Sequence, residues 1–152
     1  MSVVSKLQEL GVELPVAAKP LAAYVPAVKV GNLVYTSGQL PMQAGELQFV
    51  GKVGTDLTEE QGYEAARLCA INCLAAVNTV SNVEHIVRIV KVTGFVNSPD
   101  GFGGQPQVIN GASEFLGKVF GEAAAHARAA VGMSGLPRNA AVEVEMIVEV
   151  SE

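Results

Sequence analysis

Tryptophan is absent from this 152-residue sequence, aromatic residues reach only 5%, and charged residues only 16%. Charged residues usually make up about 25% of a soluble chain. Apolar residues nevertheless reach 49%, which excludes a disordered chain, because disordered chains lack the apolar content to form a core. Since large rings are scarce, that apolar content is mainly alanine and valine. The length predicts a single domain over residues 1–152.

Long apolar runs and clusters of one charge are also missing. No run approaches the roughly 18 residues of a membrane-spanning helix, and residues 1–11 have no apolar signal-peptide centre, so we expect a cytoplasmic protein without a membrane partner. The net charge is −5 and no Lys/Arg run occurs, which argues against a nucleic-acid partner. The mean hydropathy of +0.33 leaves little polar material for the surface, and predicts apolar surface buried between subunits.

The residues that usually form metal and cofactor sites are sparse. The only cysteines, Cys69 and Cys73, stand four apart without a nearby histidine, so we interpret them as thiols packed on one helix face. His85 and His126 lack metal-ligand spacing. Glycine-rich nucleotide loops and the nucleophile elbow are absent too. We therefore expect neither a metal nor a cofactor.

Hydrophobic periodicity predicts the secondary structure. Helices are expected over residues 1–11, from 56 or 58 to about 81, and over 108–120. Strands are expected over residues 27–30, 33–37, 86–96, 128–133 and 141–150. A weak strand is expected at 47–50, and an extended lead-in at 12–26. Thr58 with Gln61 fits a capping box. The helix at 108–120 shows one amphipathic face. This order is typical of an α+β layer, with two helices on one face of a mixed sheet.

The last strand alternates valine and methionine with Glu143, Glu145, Ile147 and Glu149. Because successive side chains of a strand face opposite sides, the carboxylates belong to the face without helices. That face is either solvated or a subunit interface, and the low charge of the chain keeps the second interpretation open.

Arg128 is the one charge in an apolar stretch, residues 123–133. A buried charge is costly unless it has a partner. A structural carboxylate such as Glu143 or Glu145 could pair with it. Alternatively, its planar guanidinium could be left open to grip a ligand carboxylate through two parallel hydrogen bonds.

Two sequence motifs lie about 100 residues apart. Residues 31–41 read GNLVYTSGQLP; residues 128–132 read RAAVG, followed by Leu136-Pro137 and by VEVE at 142–145. Together they resemble the RidA/YjgF/YER057c/UK114 family, whose members are also named endoribonuclease L-PSP. The resemblance covers the chain from about Tyr24 onward.

The resemblance implies a chorismate-mutase-like fold and a homotrimer with a barrel-like centre, with the helices outside and the active clefts between subunits. It also implies a cofactor-free deaminase, which hydrolyses reactive 2-imino acids released by pyridoxal-phosphate enzymes to 2-keto acids and ammonia. Arg128 would hold the substrate carboxylate and Glu143 would activate the water. The resemblance gives five further substrate-binding positions: Tyr24, Ser37, Gly38, Asn110 and Ala130, the last where many members have cysteine.

The sequence departs from the compact members of the family in three places. His126 precedes Ala127-Arg128 where those members have proline, the loop over residues 98–107 is longer, and an N-terminal extension covers residues 1–23. His126 is either structural or part of the pocket. These departures keep a second function open, a carboxylate-binding or regulatory module that uses the same clefts without turnover. Ribonuclease activity is a third possibility, which the net charge of −5 disfavours.

Overall fold

The computed structural model describes residues 2–17 and 23–151. Its strands are β1 (Ala27–Val30), β2 (Leu33–Thr36), β3 (Met42–Gln43), β4 (Glu46–Leu47), β5 (Ile86–Asn97), β6 (Ala127–Met133) and β7 (Val142–Val150). Its helices are α1 (Val3–Glu9), α2 (Glu59–Val77) and α3 (Gln105–Phe120). The main sheet has the order β1-β2-β7-β5-β6, and β3 pairs with β4 in a separate hairpin. β5 and β6 are parallel and the other pairs antiparallel, so the main sheet is mixed, as the sequence predicts.

The two long helices cover one face of this sheet. In β7, Val144, Met146 and Val148 are fully or almost fully buried, while Glu143 and Glu145 alternate with them and face the opposite side. Tyr35 of β2 pairs with Ile147 and is 43% exposed on that second face. No helix within the described residues covers the second face, and none of those helices is both long and apolar enough to cross a bilayer.

Buried thiols connect α2 to the sheet. The Cys73 thiol donates to the Val144 carbonyl oxygen at 3.3 Å, and the Cys69 thiol donates to the Val142 carbonyl oxygen at 3.6 Å. Burial raises the pKa of the Cys73 thiol to about 12, and raises the pKa of Cys69 as well. Both thiols therefore stay protonated and are unreactive, since the thiolate is the nucleophile.

Several predicted boundaries were wrong. The helix from Thr58 does have its capping box but ends at Val77 rather than near Ser81. The weak strand at 47–50 does not form; only Leu47 belongs to a strand, in the β3–β4 hairpin, whose turn residues Ala44 and Gly45 both have positive φ. The loop expected over 98–107 is shorter, because α3 begins at Gln105. Part of the extended lead-in, residues 18–22, lies outside the described residues.

Gly111 sets the distance between α2 and α3. A Cβ at this position would lie 1.9 Å from the Tyr63 carbonyl oxygen of α2. Gly111→Ala should therefore lower the free energy of unfolding by about 1–3 kcal/mol, the usual cost of overpacking. Gly117→Ala is the matched control: it lies on the same helix with no atom within 4 Å, so alanine should stabilise α3 by about 0.5–1 kcal/mol. Urea unfolding measures both, and equal stabilities would contradict the close contact.

Candidate active site

Arg128 lies on the edge strand β6 and its side chain reaches α3. Its Nη1 donates to Asn110 Oδ1 at 2.8 Å and to Ser113 Oγ at 3.2 Å. Its Nη2 donates to the Pro106 carbonyl oxygen at 3.4 Å, a long contact. All these acceptors are neutral, and no carboxylate of the described residues forms an ion pair with the guanidinium. The charge of Arg128 is therefore not neutralised within the described chain.

Of the two alternatives for Arg128, the structural pairing with Glu143 or Glu145 does not form in the single chain, and the reason is strand register. Arg128 pairs with Val92, which pairs with Met146, and Val92 and Met146 are buried on the helix side. Glu143 and Glu145 alternate with Met146 and face the other side.

Arg128 retains hydrogen-bond donors for a ligand. A guanidinium has five N–H groups, and three of them are engaged by Asn110, Ser113 and the Pro106 carbonyl. The Nε hydrogen and one Nη2 hydrogen have no acceptor among the described residues. The Nδ2 group of Asn110 likewise donates to no described residue, so Asn110 can orient Arg128 and still offer its own amide to a ligand.

Glu143 lies half-buried on the helix-free face. Its Oε2 is 2.0 Å from the position that a Cβ on Gly38 would occupy, so the absence of a side chain at Gly38 lets the carboxylate lie against the backbone. No described residue donates a hydrogen bond to this carboxylate. Burial raises its pKa, and the neighbouring charge of Glu145 raises it further. A carboxylate with a raised pKa is a better proton acceptor from water.

The remaining predicted site residues divide between two regions. The Ser37 hydroxyl donates to the Val25 carbonyl oxygen at 2.6 Å and holds the segment before β1, where Tyr24 is 57% exposed. This region adjoins Gly38. Ala130 instead lies on β6 two residues after Arg128, on the same face, and packs against the core.

One chain does not bring the two regions together. We define the arginine cluster as Arg128, Asn110, Ser113 and Ala130, and the glutamate cluster as Glu143, Gly38 and Ser37. β5 separates the strands that carry Arg128 and Glu143, and these two side chains leave the sheet on opposite faces. Histidine, cysteine and carboxylate side chains of the described ranges form no group of three or more that could hold a metal ion.

Sequence reasoning missed Ser113 and left His126 undecided. Ser113 Oγ lies 2.9 Å from His126 Nε2, and His126 Nδ1 contacts the Ala124 carbonyl oxygen. The spacing could have indicated Ser113, because Ser113 follows Asn110 by three residues and lies on the same side of α3. Only the packing of β6 against α3 shows that this side meets Arg128 and His126.

The family model described as "YjgF/chorismate mutase-like, putative endoribonuclease" matches residues 4–150. The chain belongs to the YjgF family. Its mixed sheet and helices are accordingly the α+β fold of that family, as the resemblance implied. The match extends to Val4 of α1 and so includes most of residues 1–23, which were expected to be an extension.

Relatives of this YjgF-family chain carry different names. Protein TCP17 of Trypanosoma cruzi is 41% identical over 151 residues, which cover 98% of this chain and 94% of the relative. A 2-iminobutanoate/2-iminopropanoate deaminase of Dermatophagoides farinae is 31% identical over 137 residues, 90% of this chain and 93% of the relative. The crystal structure of Atu1372 from Agrobacterium tumefaciens, a protein of unknown function, matches with a TM-score of 0.91 and 47% identity, covering 98% and 92% of the two chains.

Proposed function

We propose that this YjgF-family protein hydrolyses 2-imino acids to 2-keto acids and ammonia. One observation carries the proposal: Arg128 is held by neutral acceptors, and two of its N–H groups have no acceptor among the described residues. A 2-imino acid presents a carboxylate next to its reactive carbon, and a planar guanidinium grips a carboxylate with two hydrogen bonds. The similarity to a named 2-iminobutanoate/2-iminopropanoate deaminase supports the substrate class.

The reaction requires positioning and one proton acceptor. Water adds to C2 of the C=N bond, the C–N bond then breaks, and the nitrogen leaves as ammonia, so no electrons are exchanged with a second reactant. Arg128 fixes the carboxylate and thereby the position of C2. Glu143 accepts a proton from the attacking water, which requires it to lie within hydrogen-bond reach of that water, and the proton is then passed to the nitrogen that leaves as ammonia. Such imines also hydrolyse unaided, so modest catalysis suffices.

The site we propose is shared between copies of the chain. Arg128 and Glu143 face opposite sides of one sheet, so a cleft containing both needs Arg128 from one copy and Glu143 from another. A homotrimer with its helix-free faces turned inward, as the family resemblance implies, would supply such clefts. Exposed apolar and aromatic side chains among the carboxylates of that face support this assembly: Val30 is 61% exposed and Tyr35 43% exposed in the single chain.

A coupled assay tests the proposed function. A threonine dehydratase in excess generates 2-iminobutanoate, and the appearance of 2-oxobutanoate is followed with and without this protein. We expect a faster rate that scales with protein concentration. No acceleration with 2-iminobutanoate or with bulkier 2-imino acids would contradict turnover. Binding of 2-oxobutanoate without acceleration would instead favour a carboxylate-binding module.

A further inference from the structure

We propose that Ser113 and His126 are positioning residues, which hold the Arg128 guanidinium in the orientation that binds a carboxylate. The proposal rests on the ligand-binding role given to Arg128 above, and it assigns a role to His126, which hydrogen-bonds to Ser113.

The contacts of His126 determine the tautomer of its neutral form. Nδ1 contacts the Ala124 carbonyl oxygen, and a carbonyl can only accept, so Nδ1 carries the hydrogen. The other nitrogen of a neutral ring, Nε2, is then an acceptor. Ser113 Oγ lies 2.9 Å from it, so the Ser113 hydroxyl donates to Nε2.

The direction of the Ser113 hydroxyl decides what it offers to Arg128. Because its hydrogen points to His126, its lone pairs are free to accept from Arg128 Nη1 at 3.2 Å. The hydrogen bonds therefore run one way, from Arg128 through Ser113 and His126 to the Ala124 carbonyl. Such chains polarise their members and strengthen each bond.

This chain of hydrogen bonds complements the bond to Asn110. Asn110 and Ser113, one turn apart on α3, receive one Nη1 hydrogen each. With both Nη1 hydrogens engaged, rotation of the guanidinium would break two bonds. An arginine side chain that is free to rotate otherwise loses rotamer entropy on binding. Holding the group in place before the ligand arrives reduces that cost.

Paired variants test the role of each side chain. Ser113→Ala and His126→Leu should raise the Kd for 2-oxobutanoate and the KM for 2-iminobutanoate by roughly three- to tenfold, with kcat changed less, because a binding contact is lost. Ser113→Thr retains the hydroxyl, and His126→Gln can place an amide oxygen at the position of Nε2, so both should bind within about twofold of the wild type. Ser151→Ala, an exposed serine, is the matched control. Circular dichroism establishes that each variant is folded.

Nuclear magnetic resonance of the imidazole nitrogens reads the hydrogen-bond chain directly. The protein has only two histidines, so the spectrum of the His85→Gln variant assigns the signals of His126. For the neutral form of His126 we expect the hydrogen on Nδ1, and we expect a shift of the Nε2 resonance in Ser113→Ala. A neutral ring with its hydrogen on Nε2 would overturn the proposal.

The outcomes separate this proposal from the proposed function. If the wild type binds 2-oxobutanoate but does not accelerate imine hydrolysis, and Ser113→Ala binds more weakly than Ser113→Thr, the positioning role stands while the deaminase function fails. If hydrolysis is fast and Ser113→Ala leaves both Kd and KM unchanged, the positioning role fails alone. Equally weakened binding of 2-oxobutanoate in Ser113→Ala and Ser113→Thr also overturns the positioning role. The same holds if the wild type does not bind 2-oxobutanoate.

Discussion

Replacing Arg128 with alanine should abolish the acceleration of 2-iminobutanoate hydrolysis while the variant keeps its fold. A hydrogen bond to a charged group is worth about 1.5–3 kcal/mol, so losing two of them lowers kcat/KM by roughly two to four orders of magnitude. The fold should survive, because Arg128 lies on an edge strand and its hydrogen-bond partners among the described residues are all neutral. The coupled assay and light scattering measure activity and assembly on the same sample.

Arg128→Lys is the matched control for the alanine variant. Lysine keeps the positive charge but lacks the planar fork of donors, so its activity should lie between those of wild type and Arg128→Ala. Loss of the folded or assembled state in Arg128→Ala would show that the guanidinium serves the structure instead. Full activity in Arg128→Ala would contradict its role as anchor.

Glu143→Gln should lower kcat by roughly 10²–10⁴-fold with little change in KM. The substitution preserves the shape of the side chain and removes its ability to accept a proton, and a positioned general base typically contributes an acceleration of about this size. Steady-state kinetics in the coupled assay separate the two constants. An unchanged kcat would remove Glu143 from the mechanism.

The raised pKa of Glu143 predicts how the activity depends on pH. A base works in its deprotonated form, so activity should decline as the pH falls through the pKa of Glu143, at a higher pH than an ordinary glutamate would give. Glu145→Gln removes a negative charge that raises this pKa, so it should move the decline to lower pH. A pH profile that Glu145→Gln leaves unchanged would argue against Glu143 as the titrating group.

Mixing Arg128→Ala with Glu143→Gln tests whether the two residues of one cleft come from different copies of the chain. If each cleft takes Arg128 from one copy and Glu143 from another, a denatured and refolded equal mixture of Arg128→Ala and Glu143→Gln should recover about a quarter of the wild-type activity, the share of clefts that receive both intact residues in random assembly. No recovery, with mixed assembly shown by mass spectrometry, would place both residues in the cleft of a single copy.

Much of the fold was readable from local pattern. Thr58 and Gln61 marked the start of α2 because a capping box is made by residues three apart, and the alternation in β7 identified its buried face. The β3–β4 hairpin was missed because its strands have two residues each and its turn is Ala44-Gly45, without the asparagine or aspartate that usually announces such a turn. The end of α2 at Val77 was missed because no glycine or proline follows directly.

The candidate site was less accessible to sequence reasoning. Arg128 and Glu143 could be named from the resemblance, but their opposite faces depend on the register of β5 with its two neighbours, which no single segment encodes. The partners of Arg128 come from α3, a separate element that the parallel β5–β6 connection carries across the sheet. Tertiary packing therefore determines which polar side chains meet the guanidinium.

The position of sulfur in this chain has a chemical consequence. Imines are electrophiles, and thiolates attack electrophiles. Cys69 and Cys73 are buried between α2 and the sheet as protonated thiols. The residue two positions after Arg128 on β6 is Ala130, whose methyl group cannot react. A protein that handles reactive imines in the proposed cleft would therefore avoid addition of a cysteine thiolate to the C=N bond of its own substrate, and its working lifetime would not be limited by covalent self-inactivation through cysteine.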